Sequence, residues 1–244
     1  MEMTNHDAYS SRICDNVNYA DKFGETALHS AVIYRRFATV KILLEQKDTK
    51  LNFVNNLRLT PLHYAVFSNQ YDMTSALVEK GCDVNVQDEK GRTPLVLATR
   101  LDGRSRKILE LLLKTEAVNI NAVDKKNIRN AIHHVLLWYI AEYYKCFGVR
   151  THQFDFSSKS FCKSDTREII QLLVHHGCDI NAQDKDGLTP LMLAMTMESE
   201  TTSMYLLETL IVCGANPKII NNGGIQIHVR YRRFNQNIRL YHRA

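Results

Sequence analysis

The sequence predicts an all-α solenoid, built of stacked helix-turn-helix units joined by short β-hairpin-like turns. Three observations predict it. A Gly-x-Thr-x-Leu-His segment recurs along the chain, a Leu-x-x-x-Gly-Cys-Asp-x-Asn segment recurs in the same phase, and apolar residues fall at helical spacing between them. The 244 residues suffice for a sizeable core, and 45% hydrophobic against 23% charged residues is ordinary for a folded chain.

The first segment reads Gly24-Glu-Thr26-Ala-Leu28-His29, then Arg58-Leu-Thr60-Pro-Leu62-His63, Gly91-Arg-Thr93-Pro-Leu95-Val96 and Gly187-Leu-Thr189-Pro-Leu191-Met192. Weaker copies are Asn130-Ala-Ile132-His133 and Gly224-Ile225-Gln-Ile227-His228. The starts at 26, 60, 93, 130, 189 and 225 lie 34, 33, 37, 59 and 36 residues apart. A Thr before Pro61, Pro94 or Pro190 can cap a helix whose first position needs no N–H. The second segment, Leu77 to Asn85 and Leu173 to Asn181, closes an apolar helix on Gly81 or Gly177, with Gly214 in the same place later. One such unit cannot bury its own apolar face, so neighbours must stack.

These segments resemble the ankyrin repeat, whose signature is T-P-L-H-x-A at a period of about 33 residues. Ala31 and Ala65 complete that signature in the first two copies. The resemblance covers about residues 13–228, as some five full repeats and a C-terminal half repeat. It leaves residues 1–12 as an N-terminal segment and residues 229–244 as a basic capping helix. It implies a slightly curved stack with a concave binding face, and that His29, His63, His133 and His228 hydrogen-bond the adjacent turn rather than form a catalytic series.

The fourth repeat departs from the pattern. Ile132 and Leu173 are 41 residues apart, against 15 for Leu62 and Leu77, so an insertion lies at about 136–163. The first helix of that repeat is expected to run on to Phe147 and stop at Gly148, with the second helix capped by Asp165. Trp138, Tyr139, Tyr143, Tyr144, Phe147, Phe154, Phe156 and Phe161 crowd this stretch. They either cover the extended helix or offer an aromatic anchor to a partner.

Charge excludes a uniformly basic body. Of 31 Lys and Arg, five fall in residues 229–244, which hold no acid, and the rest of the chain carries 26 of each sign. A capping helix, a nuclear-import patch and an anionic contact are the readings of that tail. Nucleic-acid binding through it is disfavoured by the neutral body. The densest apolar run, Val135 to Ala141, is too short to span a bilayer, and the N-terminus has no signal-peptide core. Six scattered cysteines without a CxxC pair fit reduced thiols, and so a cytoplasmic or nuclear chain.

The expected function is non-enzymatic: an adaptor or scaffold that binds proteins, with no catalytic residue, metal, cofactor, small-molecule substrate or membrane. His152, Asp155, Cys146 and Cys162 in the insertion have no spacing that organises chemistry. The alternative within binding is an inhibitor of a Rel-type transcription factor, since such inhibitors are also ankyrin stacks. Resemblance places partner contacts on the turn tips and first helices, at Phe23, Glu25, Tyr34, Leu57, Leu59, Phe67, Lys90, Arg92, Arg100 and Leu188. Trp138 and Tyr143 join them from the insertion. The apolar members on the first two repeats either dock a partner or are covered by neighbouring turns or residues 1–12. Leu eight residues before Asn also recurs, and ankyrin repeats with this arrangement are targets of an asparaginyl hydroxylase. The matching positions are Asn52, Asn85, Asn121 and Asn181, which otherwise simply hold turns. Arg58 in place of a turn glycine is expected to distort the second turn.

Overall fold

The computed structural model describes residues 16–99, 106–147, 163–196, 200–229 and 238–242. Two compact units divide the chain: Met1–Ala98 with Arg104–Asn119, and Thr99–Gly103 with Ile120–Ala244.

The first unit holds three helical pairs. They are α1 (Ala27–Ile33) with α2 (Phe37–Glu45), α3 (Pro61–Phe67) with α4 (Tyr71–Glu79), and α5 (Pro94–Ala98) with α6 (Arg106–Leu113). First helices pack on first helices, α1 on α3 and α3 on α5, while α2, α4 and α6 form a second layer. Leu28, Val32, Leu62, Leu77, Leu95, Ile108 and Leu112 are buried between the layers. Burying such a side chain is worth about 1.5–3 kcal/mol, which offsets the weak intrinsic stability of helices this short.

The caps fall where the residue types put them. Thr60 precedes Pro61, and its Oγ1 accepts from the His63 N–H at 3.3 Å. The Val96 N–H donates to Thr93 Oγ1 at 3.4 Å. At the other end of α4 the chain turns through Gly81 at φ +81°, and the Cys82 N–H donates to the Leu77 carbonyl at 3.2 Å. That is the left-handed helix ending for which glycine is the cheap residue. Between paired helices the reversal falls on Arg35 (φ +56°) and Asn69 (φ +53°).

The second unit holds α7 (Ala131–Phe147) with α8 (Lys163–His175), and α9 (Pro190–Ala194) with α10 (Glu200–Val212). Again α7 packs on α9 and α8 on α10. Helix α7 runs to Phe147 as the sequence suggests, and Tyr139 on it is among the largest fully buried side chains. Helix α8 begins at Lys163, two residues ahead of the expected Asp165 cap.

The C-terminal expectation is corrected. In place of a capping helix over 229–244, strand β1 (Ile225–Val229) pairs antiparallel with β2 (Ile238–His242), in the register Ile225↔His242, Ile227↔Leu240 and Val229↔Ile238. The reason is local. The copy starting at Ile225 lacks the Thr-Pro start, and Ile-Gln-Ile-His-Val alternates apolar and polar residues at the period of a strand.

The second turn is not lost to Arg58. Arg58 adopts φ +58° and keeps the geometry that Gly24 (φ +77°) and Gly91 (φ +81°) adopt in the neighbouring turns. A left-handed non-glycine residue costs roughly 1–2 kcal/mol, and glycine's extra chain entropy cancels part of that. Arg58→Gly is therefore expected to stabilise the chain by about 0.5–1 kcal/mol, raising the melting temperature by a few degrees. Gly187→Ala is expected to lower it, because φ is +76° there and a Cβ would sit 2.5 Å from the Asn222 nitrogen. Thermal unfolding followed by circular dichroism reads both.

Candidate functional site

The turns that present the surface are built by one acidic or amide side chain each. Asp21 Oδ1 accepts from the N–H groups of Phe23 and Glu25, both at 2.8 Å. Asn55 Oδ1 does the same for Leu57 (3.0 Å) and Leu59 (2.9 Å), and Asp88 Oδ1 for Lys90 (2.9 Å) and Arg92 (2.8 Å). In the second unit Asp184 holds Asp186 and Leu188 at 2.9 and 3.0 Å. A backbone that would otherwise carry unsatisfied donors is fixed into a tight loop with its tip in solvent.

Adjacent tips are joined through the main chain. The Asn56 N–H donates to the Phe23 carbonyl at 3.0 Å and the Glu89 N–H to the Leu57 carbonyl at 3.1 Å. In the second unit the Lys185 N–H donates to the Asn127 carbonyl at 2.8 Å.

A histidine anchors three of these tips from below, while Val96 and Met192 stand at the matching positions of the third and fifth repeats. The Thr26 N–H donates to His29 Nδ1 at 3.2 Å, so the proton resides on Nε2, which donates to the Leu59 carbonyl at 3.0 Å. His63 repeats the arrangement, accepting from the Thr60 N–H at 3.1 Å and donating to the Arg92 carbonyl at 3.3 Å. In the fourth repeat Asn130 stands in place of Thr. His133 Nδ1 lies 2.7 Å from Asn130 Oδ1 and its Nε2 lies 3.1 Å from the Leu188 carbonyl. Both partners there are acceptors, so a neutral ring can donate to only one of them at a time. Tyr64 ties two turns together by side chains, donating to Glu25 at 2.7 Å and accepting from Asn55 at 2.9 Å.

The electrostatics are those of a structural element. Burial pushes the His63 pKa down to about 4, against a weaker opposing effect of its Arg92 hydrogen bond. Burial also lowers His29 and His133. Burial raises the Cys82 and Cys178 thiols to about 12, which leaves them protonated and inert. Among the described residues no cluster of three His, Cys, Asp or Glu is placed to hold a metal ion, and no helix is long and apolar enough to cross a membrane.

The positions expected to meet a partner separate into two groups. Tyr34 (72% exposed), Phe23 (57%), Phe67 (56%) and Leu57 (53%) stand out from the first unit, far beyond what large apolar side chains need. Lys90 is exposed beside them. Glu25, Leu59, Arg92 and Leu188 are part-buried and do internal work: Glu25 accepts from Tyr64, Arg92 pairs with Asp88 at 2.7 Å, and three of the four offer their carbonyls to the histidines. Trp138 is part-buried on α7. Arg100, the side chain of Tyr143 and the insertion loop lie outside the described residues. Ile128, absent from the expected contact positions, is exposed and holds φ +58° at the turn position that Gly24, Gly91 and Gly187 fill in other repeats. Its signal was an Ile before Arg129 in the glycine slot of an Asp-led turn.

Five helical pairs among the described residues, and turns that hand hydrogen bonds to their neighbours, define a repeat protein. A family model of ankyrin repeats in three copies matches residues 9–88 and 48–124. The chain belongs to the ankyrin-repeat proteins. An ankyrin repeat domain from Acinetobacter baumannii AYE superposes with a TM-score of 0.65 at 22% identity, covering 86% of this chain and 93% of that one. Similar sequences include NF-kappa-B inhibitor alpha of Gallus gallus, 29% identical over 191 residues, and of Homo sapiens, 31% identical over 164. The B-cell lymphoma 3 protein homolog of Mus musculus is 30% identical over 202 residues. These alignments take in 70%, 66% and 80% of this chain, which spans 58%, 44% and 38% of those relatives' lengths. Members of this family are interaction modules rather than enzymes.

The lowered histidine pKa values carry a pH prediction. The unfolded imidazole binds a proton near its ordinary value of 6.5, the folded His63 only near about 4. The unfolded state therefore holds more protons throughout that window, and stability present above pH 6.5 falls as pH drops through it. The expected loss for His63 alone is roughly 3 kcal/mol by pH 4. Urea unfolding at pH 7.5, 6 and 4.5 should show falling midpoints, with a shallower decline in His63→Gln.

Proposed function

We propose that the chain is an adaptor that docks a partner protein on the tip surface of its first unit, and that it acts by binding without catalysis. The observation that carries this reading is the group Phe23, Tyr34, Leu57 and Phe67, four large apolar side chains each more than half exposed on adjacent repeats. Exposed aromatic side chains on a rigid support are the usual anchors of protein interfaces. The turn ladder fixes Phe23 and Leu57, while Tyr34 and Phe67 stand at the C-terminal ends of the packed helices α1 and α3.

A second reading is favoured by the relatives named above. It makes the chain an inhibitor that masks a Rel-type transcription factor. Under either reading a cytoplasmic or nuclear location fits. The aromatic insertion of about residues 136–163 supplies the adaptor's second contact, with Trp138 and Tyr143 on the helix that leads into it.

One affinity capture from native lysate, read by mass spectrometry, separates these readings. Three chains are compared: the intact chain, one with Phe23→Ala, Leu57→Ala and Phe67→Ala, and one lacking residues 149–163. All are first checked for native circular dichroism. The alanine chain is expected to lose the main partner, by about tenfold or more in affinity. A Rel-type factor among the lost proteins selects the inhibitor reading. A separate partner lost only on deletion makes the protein an adaptor, and an unchanged list for both variants ends the docking proposal.

Hydroxylation of Asn52, Asn85, Asn121 or Asn181 is a further part of this reading. Their amides bridge to the next repeat: Asn85 donates to the Ala117 carbonyl and accepts from the Asn119 N–H, both at 2.7 Å. Asn121 donates to the Gly177 carbonyl at 3.1 Å and accepts from the Asp179 N–H at 2.8 Å. With the hydroxylase co-expressed, peptide mass spectrometry is expected to find one added oxygen on at least one of the four. Unmodified peptides throughout would count against it.

A further inference from the structure

We infer that the tip surface of the first unit takes an acidic segment of its partner, one that carries apolar side chains among its carboxylates. This rests on the reading that the same surface docks a protein, and it adds the chemistry of what is docked.

Unpaired cations accompany the four exposed apolar side chains. Lys22 is exposed at the first tip, Arg58 at the second and Lys90 at the third. Arg35 and Arg36 are exposed in the loop after α1, directly beyond Tyr34. None of these five is in an ion pair with a described carboxylate. Arg35 reaches only a neutral acceptor, the Ser68 carbonyl at 3.2 Å, and Lys22 lies over the Phe23 ring at 5.0 Å.

The carboxylates of the same surface are otherwise engaged. Asp21 is held by two backbone N–H groups of its own turn and Glu25 accepts from Tyr64. Asp88 is buried against Arg92. Glu89 is the one exposed carboxylate among the described tips of this unit. Asp72, exposed at the start of α4 beyond Phe67, is a second outward carboxylate. Five outward cations against two outward anions, set among apolar groups, select a partner by opposite charge and hold it by apolar burial.

Two other occupants fit less well. A second copy of this chain using the same surface would set these five cations against five more. A nucleic acid would find stacking planes on Phe23, Tyr34 and Phe67 but none on Leu57, and Glu89 and Asp72 would face its phosphates.

The test is a selection of random displayed peptides on the immobilised full chain, with net charge counted before and after. Recovered peptides are expected to be enriched in Asp and Glu together with Leu, Phe, Tyr or Trp. One recovered peptide, made synthetically, is then titrated by fluorescence anisotropy. Lys22→Glu, Arg36→Glu and Lys90→Glu combined should weaken it by at least about tenfold, and should bind the same peptide with its acids changed to Lys. Phe23→Ala, Leu57→Ala and Phe67→Ala combined should weaken the original peptide as well. Basic or neutral peptides that still need Phe23 and Leu57 would overturn this inference and leave the docking reading standing. Peptides indifferent to both variants, or none recovered, would overturn both. A labelled single-stranded oligonucleotide that needs the cations but not the apolar residues would reassign the surface to nucleic acid. Concentration-dependent dimers lost in the alanine variant would reassign it to a second copy.

Discussion

A neutral imidazole hydrogen-bonded to a carbonyl of the next turn is the interaction on which the rest of each unit depends. His29 reaches Leu59, His63 reaches Arg92, and in the second unit His133 reaches Leu188. The irregular turns carry backbone groups that no helix can satisfy. The histidine satisfies one of them from within the preceding repeat, and so fixes the spacing of both. The asparagines do the same on the opposite end of each unit, Asn18 to Asp48 and Lys50, Asn85 to Ala117 and Asn119. Helices of five to nine residues in the first unit would not persist alone. They persist because packing and these two rows of bonds fix each pair against its neighbour.

The same constraint explains why the exposed surface can be apolar without harm. The turn backbone is held by Asp21, Asn55 and Asp88 from inside, so the side chains at the tips are not needed for folding. Phe23 and Leu57 occupy positions that a soluble turn would fill with polar groups. Their stability cost to the turn is small, and the backbone that carries them is fixed. Binding costs less side-chain and loop ordering when the surface is already fixed.

Much of this was legible in the sequence because it is local and repeated. The Thr-Pro starts, the glycine stops and the phase between them follow from capping chemistry that operates within a few residues. The long α7 was legible too, since apolar spacing continues without a break to Phe147. The C-terminal hairpin was not. Its second strand lies nine residues beyond the first, and a run of arginines obscured the alternation in Ile225–Val229. Leu59, Arg92 and Leu188 read as surface residues because tip positions vary, yet their carbonyls complete the histidine bonds and their side chains are part-buried. The tolerance of Arg58 and Ile128 for left-handed backbone was hidden because the surrounding turn, not the residue, sets that conformation. The outward bias of positive charge was hidden because the overall balance of the body is neutral. It emerges only when Asp21, Glu25 and Asp88 are found with internal partners.

Cys82 and Cys178 occupy the same place in their repeats, one in each unit, directly after the glycine that ends a helix. Each thiol is buried and held protonated, so neither can react while its repeat is closed. The chain thus contains two intrinsic clocks. The rate at which an alkylating reagent consumes each thiol measures how often that repeat parts from its neighbours, separately for the two units and without any added label. Cys213, half-buried after α10, marks in the same experiment the speed of a thiol that needs less opening.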